Sequence, residues 1–253
     1  MIESFEKTKL AGSIAAGALD EVNDIIKPGI STLEIDKLCY QYINDHKAFS
    51  APLYYRGYPK SCCTSANHVV CHGIPSQKVL NEGDIINVDV TAIKDGWHGD
   101  TSRMFTVGEC SVKAKKLIKI TYNAMMNAIK MIKANIKIGN IGYTIQKNVE
   151  AEGFSVVRDF CGHGIGKKFH ESPNVLHYGE KSSGQELKAG MIFTVEPMIN
   201  SGKFETKTLN DGWTAVTKDK SLSAQFEHTV GVTKEGYEIF TLSKKGLNFP
   251  PNL

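Results

Sequence analysis

Ile86-Asn87-Val88-Asp89-Val90-Thr91-Ala92, followed by Trp97-His98-Gly99-Asp100-Thr101-Ser102, is the stretch that decides how this chain folds. Read with a period of two, Ile86, Val88, Val90 and Ala92 point one way and Asn87, Asp89 and Thr91 the other, the mark of a half-buried strand. Lys94-Asp95-Gly96 supplies a turn, and the chain returns as a second strand with Asp100 and Ser102 on one face. Two carboxylates eleven positions apart are thereby brought close on adjacent antiparallel strands. A buried negative pair is costly unless a cation lies between its members, so the hairpin asks for a metal. Taken alone, the hairpin also permits Asp89 as an exposed strand residue and Asp100 as a turn cap. The rest of the chain has to decide.

Working outward, helices flank the hairpin. Residues 3 to 27 carry Leu10, Ile14, Val22, Ile25 and Ile26 at helical spacing, stopped by Lys27-Pro28-Gly29. Ser31-Thr32-Leu33-Glu34 reads as a capping box that opens a second helix through Ile35, Leu38 and Tyr42. A third helix is expected around 115 to 135 through Leu117, Ile120, Met125, Ala128 and Ile132, and a fourth through Ile145 and Val149. Ile26-Lys27-Pro28-Gly29 and Ile35 align with Ile136-Lys137-Ile138-Gly139 and Ile145 at one constant offset of 110. Each copy runs helix, glycine stop, helix, strands, which predicts two related halves whose strands form one curved sheet covered by helices. No Pro- or Ser-rich linker divides the chain, so residues 1–253 are expected to form a single domain.

Composition narrows the function. With 253 residues and 41% hydrophobic content the chain can bury a large core without staples. Its 30 Lys+Arg against 27 Asp+Glu leave a net charge of +3, too mild for nucleic acid as the main partner. No apolar run approaches the roughly 20 residues that span a bilayer, and Met1-Ile2-Glu3-Ser4 lacks a basic-then-apolar leader, so a cytoplasmic protein is expected. Cys39, Cys62, Cys63, Cys71, Cys110 and Cys161 lack paired C-x-x-C spacing and read as reduced thiols.

The second half repeats the theme of acids set in apolar strands. Met191-Ile192-Phe193-Thr194-Val195-Glu196-Pro197-Met198 is one such segment and Ser223-Ala224-Gln225-Phe226-Glu227-His228-Thr229-Val230 another. Between them and the helices stands Phe160-Cys161-Gly162-His163-Gly164-Ile165-Gly166, then Phe169-His170-Glu171. These glycines lack the strand-then-helix setting of a phosphate cradle, and flanking His163 they are expected to leave room for something to approach its ring. Asp89, Asp100, Glu196 and Glu227 with His163 therefore read as one shared, oxygen-rich metal site. Two divalent cations would cancel its four negative charges, and Mn²⁺, Fe²⁺, Co²⁺ and Zn²⁺ all suit such donors. A cation pair that readies water for attack at neutral pH points to a hydrolase.

Taken together, His72 in Val70-Cys71-His72-Gly73, Asp89 in Asn87-Val88-Asp89-Val90-Thr91, Gly99-Asp100-Thr101, Gly162-His163-Gly164-Ile165-Gly166, Thr194-Val195-Glu196-Pro197 and Gln225-Phe226-Glu227-His228 resemble the type I methionine aminopeptidases. The match runs in order from about residue 5 to 242. The resemblance implies an α+β pita-bread fold of two pseudo-symmetric α/β halves. It implies that Asp89 chelates one metal, His163 and Glu196 hold the other, and Asp100 and Glu227 bridge both. It further implies that His72 and His170 contact the substrate, with His72 helping to move a proton, and that Glu196 belongs to the catalytic set. The family's methionine pocket maps onto Tyr55, Tyr58, Cys63, Phe169, Met198 and Trp213, an aromatic and sulfur-bearing set suited to an unbranched thioether.

The implied reaction is removal of the initiator methionine from nascent chains, with a small second residue preferred, in a monomer of the minimal bacterial type. The chain departs from the family at Ala51-Pro52-Leu53-Tyr54, where relatives often carry Cys and then Leu-Gly, so Pro52 is expected at the pocket wall and Tyr54 at a narrowed entrance. Lys113, Lys115, Lys116, Lys119, Lys130, Lys133 and Lys137 make one helical region basic, either as a solvated face or as a dock on ribosomal RNA. Two competing readings have sequence consequences. A proline dipeptidase of the same fold calls for a larger chain with an extra N-terminal domain, and a non-catalytic relative should have lost ligands that are all present here.

Overall fold

The computed structural model describes residues 2–251 and 253. Helices α1 (Ile2–Ile25) and α2 (Thr32–Asp45) open the chain, and α3 (Val112–Ile129) and α4 (Gly139–Glu150) open its second part. The capping box at α2 is formed: Ser31 Oγ accepts the Glu34 N–H at 3.3 Å and Glu34 Oε2 accepts the Ser31 N–H at 2.8 Å. Helix α3 is capped by Ser111, whose Oγ accepts the Ala114 N–H at 3.2 Å, and it stops earlier than its apolar periodicity suggests. Met131 and Ile132 close i−3 turns onto Ala128 and Ile129, and Asn135 turns left-handed at φ 70°, so Ile132 is buried from a turn and not from a helix.

Among the described residues, a nine-stranded sheet carries both parts. Its path runs Phe49–Ser50, Ile85–Lys94, Trp97–Thr106, Glu227–Val232, Ile192–Val195, Gly162–Gly164, Glu171–Val175, with Cys63–Ala66 beside Ile85–Lys94 and Tyr237–Ile239 beside Glu227–Val232. The decisive hairpin pairs in full register from Ile85↔Thr106 to Lys94↔Trp97, with Asp89 opposite Ser102 and Thr91 opposite Asp100. The two halves join where Glu227 pairs with Ser102 and His228 with Thr101.

Each half has its own helical cover. Ile14, Leu19 and Val22 of α1 and Ile35 of α2 pack with Val88, Val90 and Ala92, while Leu117 and Met125 of α3 and Ile145 of α4 pack with Phe193, Val195 and Val230. Burying side chains of this size stabilises the fold by about 1.5–3 kcal/mol each. Ile35 and Ile145, partners in the internal repeat, are both fully buried. The repeat is looser at its glycines: Gly29 sits outside the helices at φ +96°, whereas Gly139 is the first residue of α4.

Two features lock α1 against the hairpin. A Cβ on Gly99 would stand 2.1 Å from the backbone nitrogen of Gly12, so the strand reaches the helix because Gly99 lacks a side chain, while a Cβ on Gly12 would meet the Phe240 carbonyl at 2.6 Å. Three residues past Asp100, the buried Arg103 donates from Nη1 to Asp20 Oδ1 and from Nη2 to the Ala16 carbonyl at 3.0 Å. The acid-bearing strand is thus anchored from behind.

Candidate metal centre

The sheet leaves a cavity of about 420 Å³ on its open side. Every site residue named from the sequence lines it: the acids Asp89, Asp100, Glu196 and Glu227, the imidazoles His72, His163 and His170, and the box Tyr55, Tyr58, Cys63, Phe169, Met198 and Trp213. The acids come from different strand positions. Asp89, opposite Ser102, and Asp100, opposite Thr91, are diagonal neighbours on one face of the hairpin, and their carboxyls interact. Glu227 begins its strand. Glu196 does not interrupt a continuous strand as expected. The segment breaks there, with Ile192–Val195 in the large sheet and Met198–Asn200 in a separate three-stranded sheet. Pro197 has no N–H for a ladder, so the chain switches sheets at the acid.

Ligand atoms of Asp100, His163 and Glu227 all lie within 4.8 Å of one another. His163 Nε2 is 3.7 Å from Asp100 Oδ2 and 3.6 Å from Glu196 Oε1. His163, Asp100 and Glu227 are 8%, 4% and 2% exposed. Burial, followed by the neighbouring carboxylates, holds Asp89 and Glu227 well above the ordinary carboxylate range. Burial pushes Asp100 up to about 7, against the hydroxyl of Thr91, and pushes Glu196 to about 8 with help from the charge of Asp100. His163 is lowered to about 4 by burial and is therefore a neutral donor at physiological pH. Among the described residues lining the cavity, Arg56 alone carries a fixed positive charge, and it is exposed. Four acids, a neutral imidazole and no buried counter-charge form a donor set that divalent cations fit.

The strands hold these groups through residues that the sequence reading passed over. Thr91 Oγ1 donates to Asp100 Oδ1 at 2.6 Å. Thr194 Oγ1 donates to Glu196 Oε1 at 2.8 Å and accepts the His163 N–H at 3.0 Å, linking two of the candidate ligands. Thr229 Oγ1 donates to the Asp100 carbonyl at 2.8 Å, and Thr101 Oγ1 donates to the Glu227 carbonyl at 2.7 Å. Thr91 and Thr194 stand two positions from Asp89 and Glu196, a period-two signal that was available to find them. His98, stacked on Phe169 at 5.7 Å, and His177, which accepts the Glu196 N–H at Nε2 over 3.2 Å, had no such signal.

The glycines around His163 have a different purpose from the one expected. A Cβ on Gly162 would meet the Thr194 carbonyl at 2.4 Å, and one on Gly164 the Ser172 carbonyl at 2.2 Å. They let three strands close up around the histidine; they do not clear space beside its ring. Beside the acids, His72 adopts φ 56° and packs edge-on against Phe160 and Trp213, with burial lowering its pKa. His170 Nδ1 is 3.0 Å from Tyr55 Oη, and its ring lies 4.2 Å from that of His163. Tyr58 Oη donates to the Gly73 carbonyl at 3.0 Å and its ring meets Trp213 edge-on at 5.1 Å. Pro52 lines the cavity as expected. Tyr54, expected to narrow the entrance, is 79% exposed at φ 67° and is not among the residues that line the cavity.

Comparison with known proteins gives concordant results. Residues 6–234 match the model of metallopeptidase family M24. The methionine aminopeptidase of Rickettsia prowazekii (strain Madrid E) is 55% identical over 250 residues, covering 98% of this chain and 96% of the relative. That of Escherichia coli (strain K12) is 55% identical over 244 residues, covering 96% and 92%. The crystal structure of the Rickettsia prowazekii enzyme superimposes with a TM-score of 0.95 over 96% of this chain and 98% of that one.

Proposed function

The chain belongs to metallopeptidase family M24 and, within it, to the methionine aminopeptidases of pita-bread fold, and from that premise we propose how its residues divide the work. The reaction is metal-dependent hydrolysis that removes an N-terminal methionine. Asp89, Asp100, His163, Glu196 and Glu227 would hold two divalent cations, drawn from Co²⁺, Mn²⁺, Fe²⁺ or Zn²⁺. Asp89 would serve one, His163 and Glu196 the other, and Asp100 and Glu227 would contribute to both. When bound, such a pair supplies Lewis acidity that lowers the pKa of water from 15.7 toward roughly 7.

The chain's own groups do the rest. Tyr55, Tyr58, Cys63, Phe169, Met198 and Trp213 enclose an unbranched apolar side chain, and the acids beside them receive the free amino terminus, so only the first peptide bond is presented. His170, oriented by Tyr55, reaches the scissile carbonyl. His72, packed against Phe160 and Trp213 and held below the usual imidazole range by burial, would take up the proton released by the attacking water and hand it to the departing amine. Pro52 and His170 line the same cavity and favour a small second residue. One observation carries this reading: ligand atoms of Asp100, His163 and Glu227 converge in a cavity that Tyr55, Tyr58, Cys63, Phe169, Met198 and Trp213 also line.

The proposal takes residues 1–253 as one catalytic domain acting as a monomer in the cytoplasm. Two helix-covered clusters packed on one sheet support the single domain, and no helix among the described residues is long and apolar enough to cross a membrane. Peptide assays test the activity. After chelator treatment and addition of Mn²⁺, Co²⁺ or Fe²⁺, Met-Ala-Ser should be cleaved while Leu-Ala-Ser and Ala-Pro are spared; cleavage of Ala-Pro in preference would favour the proline dipeptidase reading. A ribosomal dock for nascent-chain access would use Lys113, Lys119, Lys130 and Lys133, since Lys115, Lys116 and Lys137 are paired with Glu109, Glu152 and Glu186. Co-sedimentation with ribosomes should weaken on charge reversal at those four; unchanged binding would dismiss the dock.

A further inference from the structure

Glu196 occupies an awkward place in the backbone. Val195 is the last residue of its strand to pair with His228, and Met198 is the first to pair with Gln225 in the other sheet. Between them Pro197 has no N–H, so the N–H of Glu196 is the last donor before the break. It is met from behind by His177, which follows the strand Glu171–Val175, is 1% exposed and accepts that N–H at Nε2 over 3.2 Å. An accepting Nε2 requires the proton of the neutral ring on Nδ1, and Nδ1 is buried without a hydrogen-bond partner. An apolar side chain would spare the stranded Nδ1 but would leave the Glu196 N–H without its acceptor. An imidazole here therefore exists for what its Nε2 holds.

What it holds is the main-chain N–H of a residue whose carboxylate is gripped by other side chains. Thr194 fixes Oε1 at 2.8 Å, Gln225 Nε2 approaches Oε2 at 3.4 Å, and His177 fixes the main chain from which the side chain springs. We propose that His177 is a positioning residue that sets the backbone of Glu196, and through it the carboxylate, for binding a divalent cation. The inference rests on the reading of Glu196 as a metal ligand. Supporting groups of this kind commonly account for about 10–100-fold in metal affinity.

The test is calorimetric titration of Mn²⁺ into chelator-treated wild type, H177L, H177Q and E196Q. H177L removes the acceptor at similar volume; H177Q returns an oxygen near the position of Nε2. The expected result is about a 10–100-fold weaker Mn²⁺ site in H177L, substantial recovery in H177Q, and loss of a site in E196Q, with both His177 variants still folded in the absence of metal. Wild-type affinity in H177L beside a lost site in E196Q overturns the role of His177 alone. Full binding by E196Q overturns the ligand reading and the inference with it. Should H177L not fold, nitrogen-15 NMR of wild type decides: the proposal requires the His177 proton on Nδ1 in both metal-free and Zn²⁺-loaded protein, and a proton on Nε2 contradicts it.

Discussion

Asp100 is held from several sides. Its carboxyl meets Thr91 and Asp89, its backbone is clasped by Thr229 in both directions, and His163 lies 3.7 Å away. Such a group is a candidate ligand whose position is fixed by its protein neighbours. His72 differs from it in kind: it belongs to the same cavity but touches aromatic rings, not acids. His72→Ala should therefore keep Mn²⁺ affinity and lose about 10²–10⁴ in kcat, the usual contribution of a positioned proton donor. Parallel metal titration and peptide kinetics check this, and a variant that lost its metal but turned over normally once reconstituted would refute the division of labour. At this scale the candidate ligands were legible because acids stand out in apolar segments and His163 stands between glycines, whereas His72, His170 and the pocket residues came only through the family resemblance. His177 was not legible, since nothing near it in sequence distinguishes it from an ordinary buried histidine. The threonines were half legible, by their two-residue spacing from the acids.

Elements convert these residues into a site by close approach. The hairpin carrying Asp89 and Asp100 can lie against α1 because Gly99 faces Gly12, backbone to backbone. Gly99→Ala would place a methyl group 2.1 Å from a main-chain nitrogen that cannot swing aside. A cost of at least about 1–3 kcal/mol is expected, roughly 2–4 °C of melting temperature for each kcal/mol. Thermal unfolding of the metal-free protein measures it, and an unchanged midpoint would show that helix and strand are not wedged as described. Alternation, turn chemistry and the capping box made this hairpin and α2 legible. Three features escaped because they depend on neighbours distant in sequence: the early end of α3, the sheet switch at Glu196 and Pro197, and the glycines that let strands close around His163.

For the molecule as a whole, the two halves supply acids that neither could bury alone. Asp89 and Asp100 come from the first, Glu196 and Glu227 from the second, and the join at Ser102 and Glu227 brings them together. The repeat at an offset of 110 foretold two halves; the way they meet depends on strand pairing that no local pattern encodes. Convergence makes metal binding depend on pH. Asp100 and Glu196 keep their protons up to about 7 and about 8, so a cation must displace protons below those values and affinity should rise as pH climbs through that range. The same raised carboxyls disfavour the metal-free fold increasingly as pH rises from the ordinary carboxylate value to the folded one, and bound cations relieve that penalty. The most direct measurement is titration of Mn²⁺ into chelator-treated protein from pH 6 to 8, wild type beside Glu227→Ala. The account predicts two equivalents per chain, affinity increasing with pH, and loss of binding in the variant; a variant that binds as wild type does, or an affinity that falls as pH rises, would contradict it.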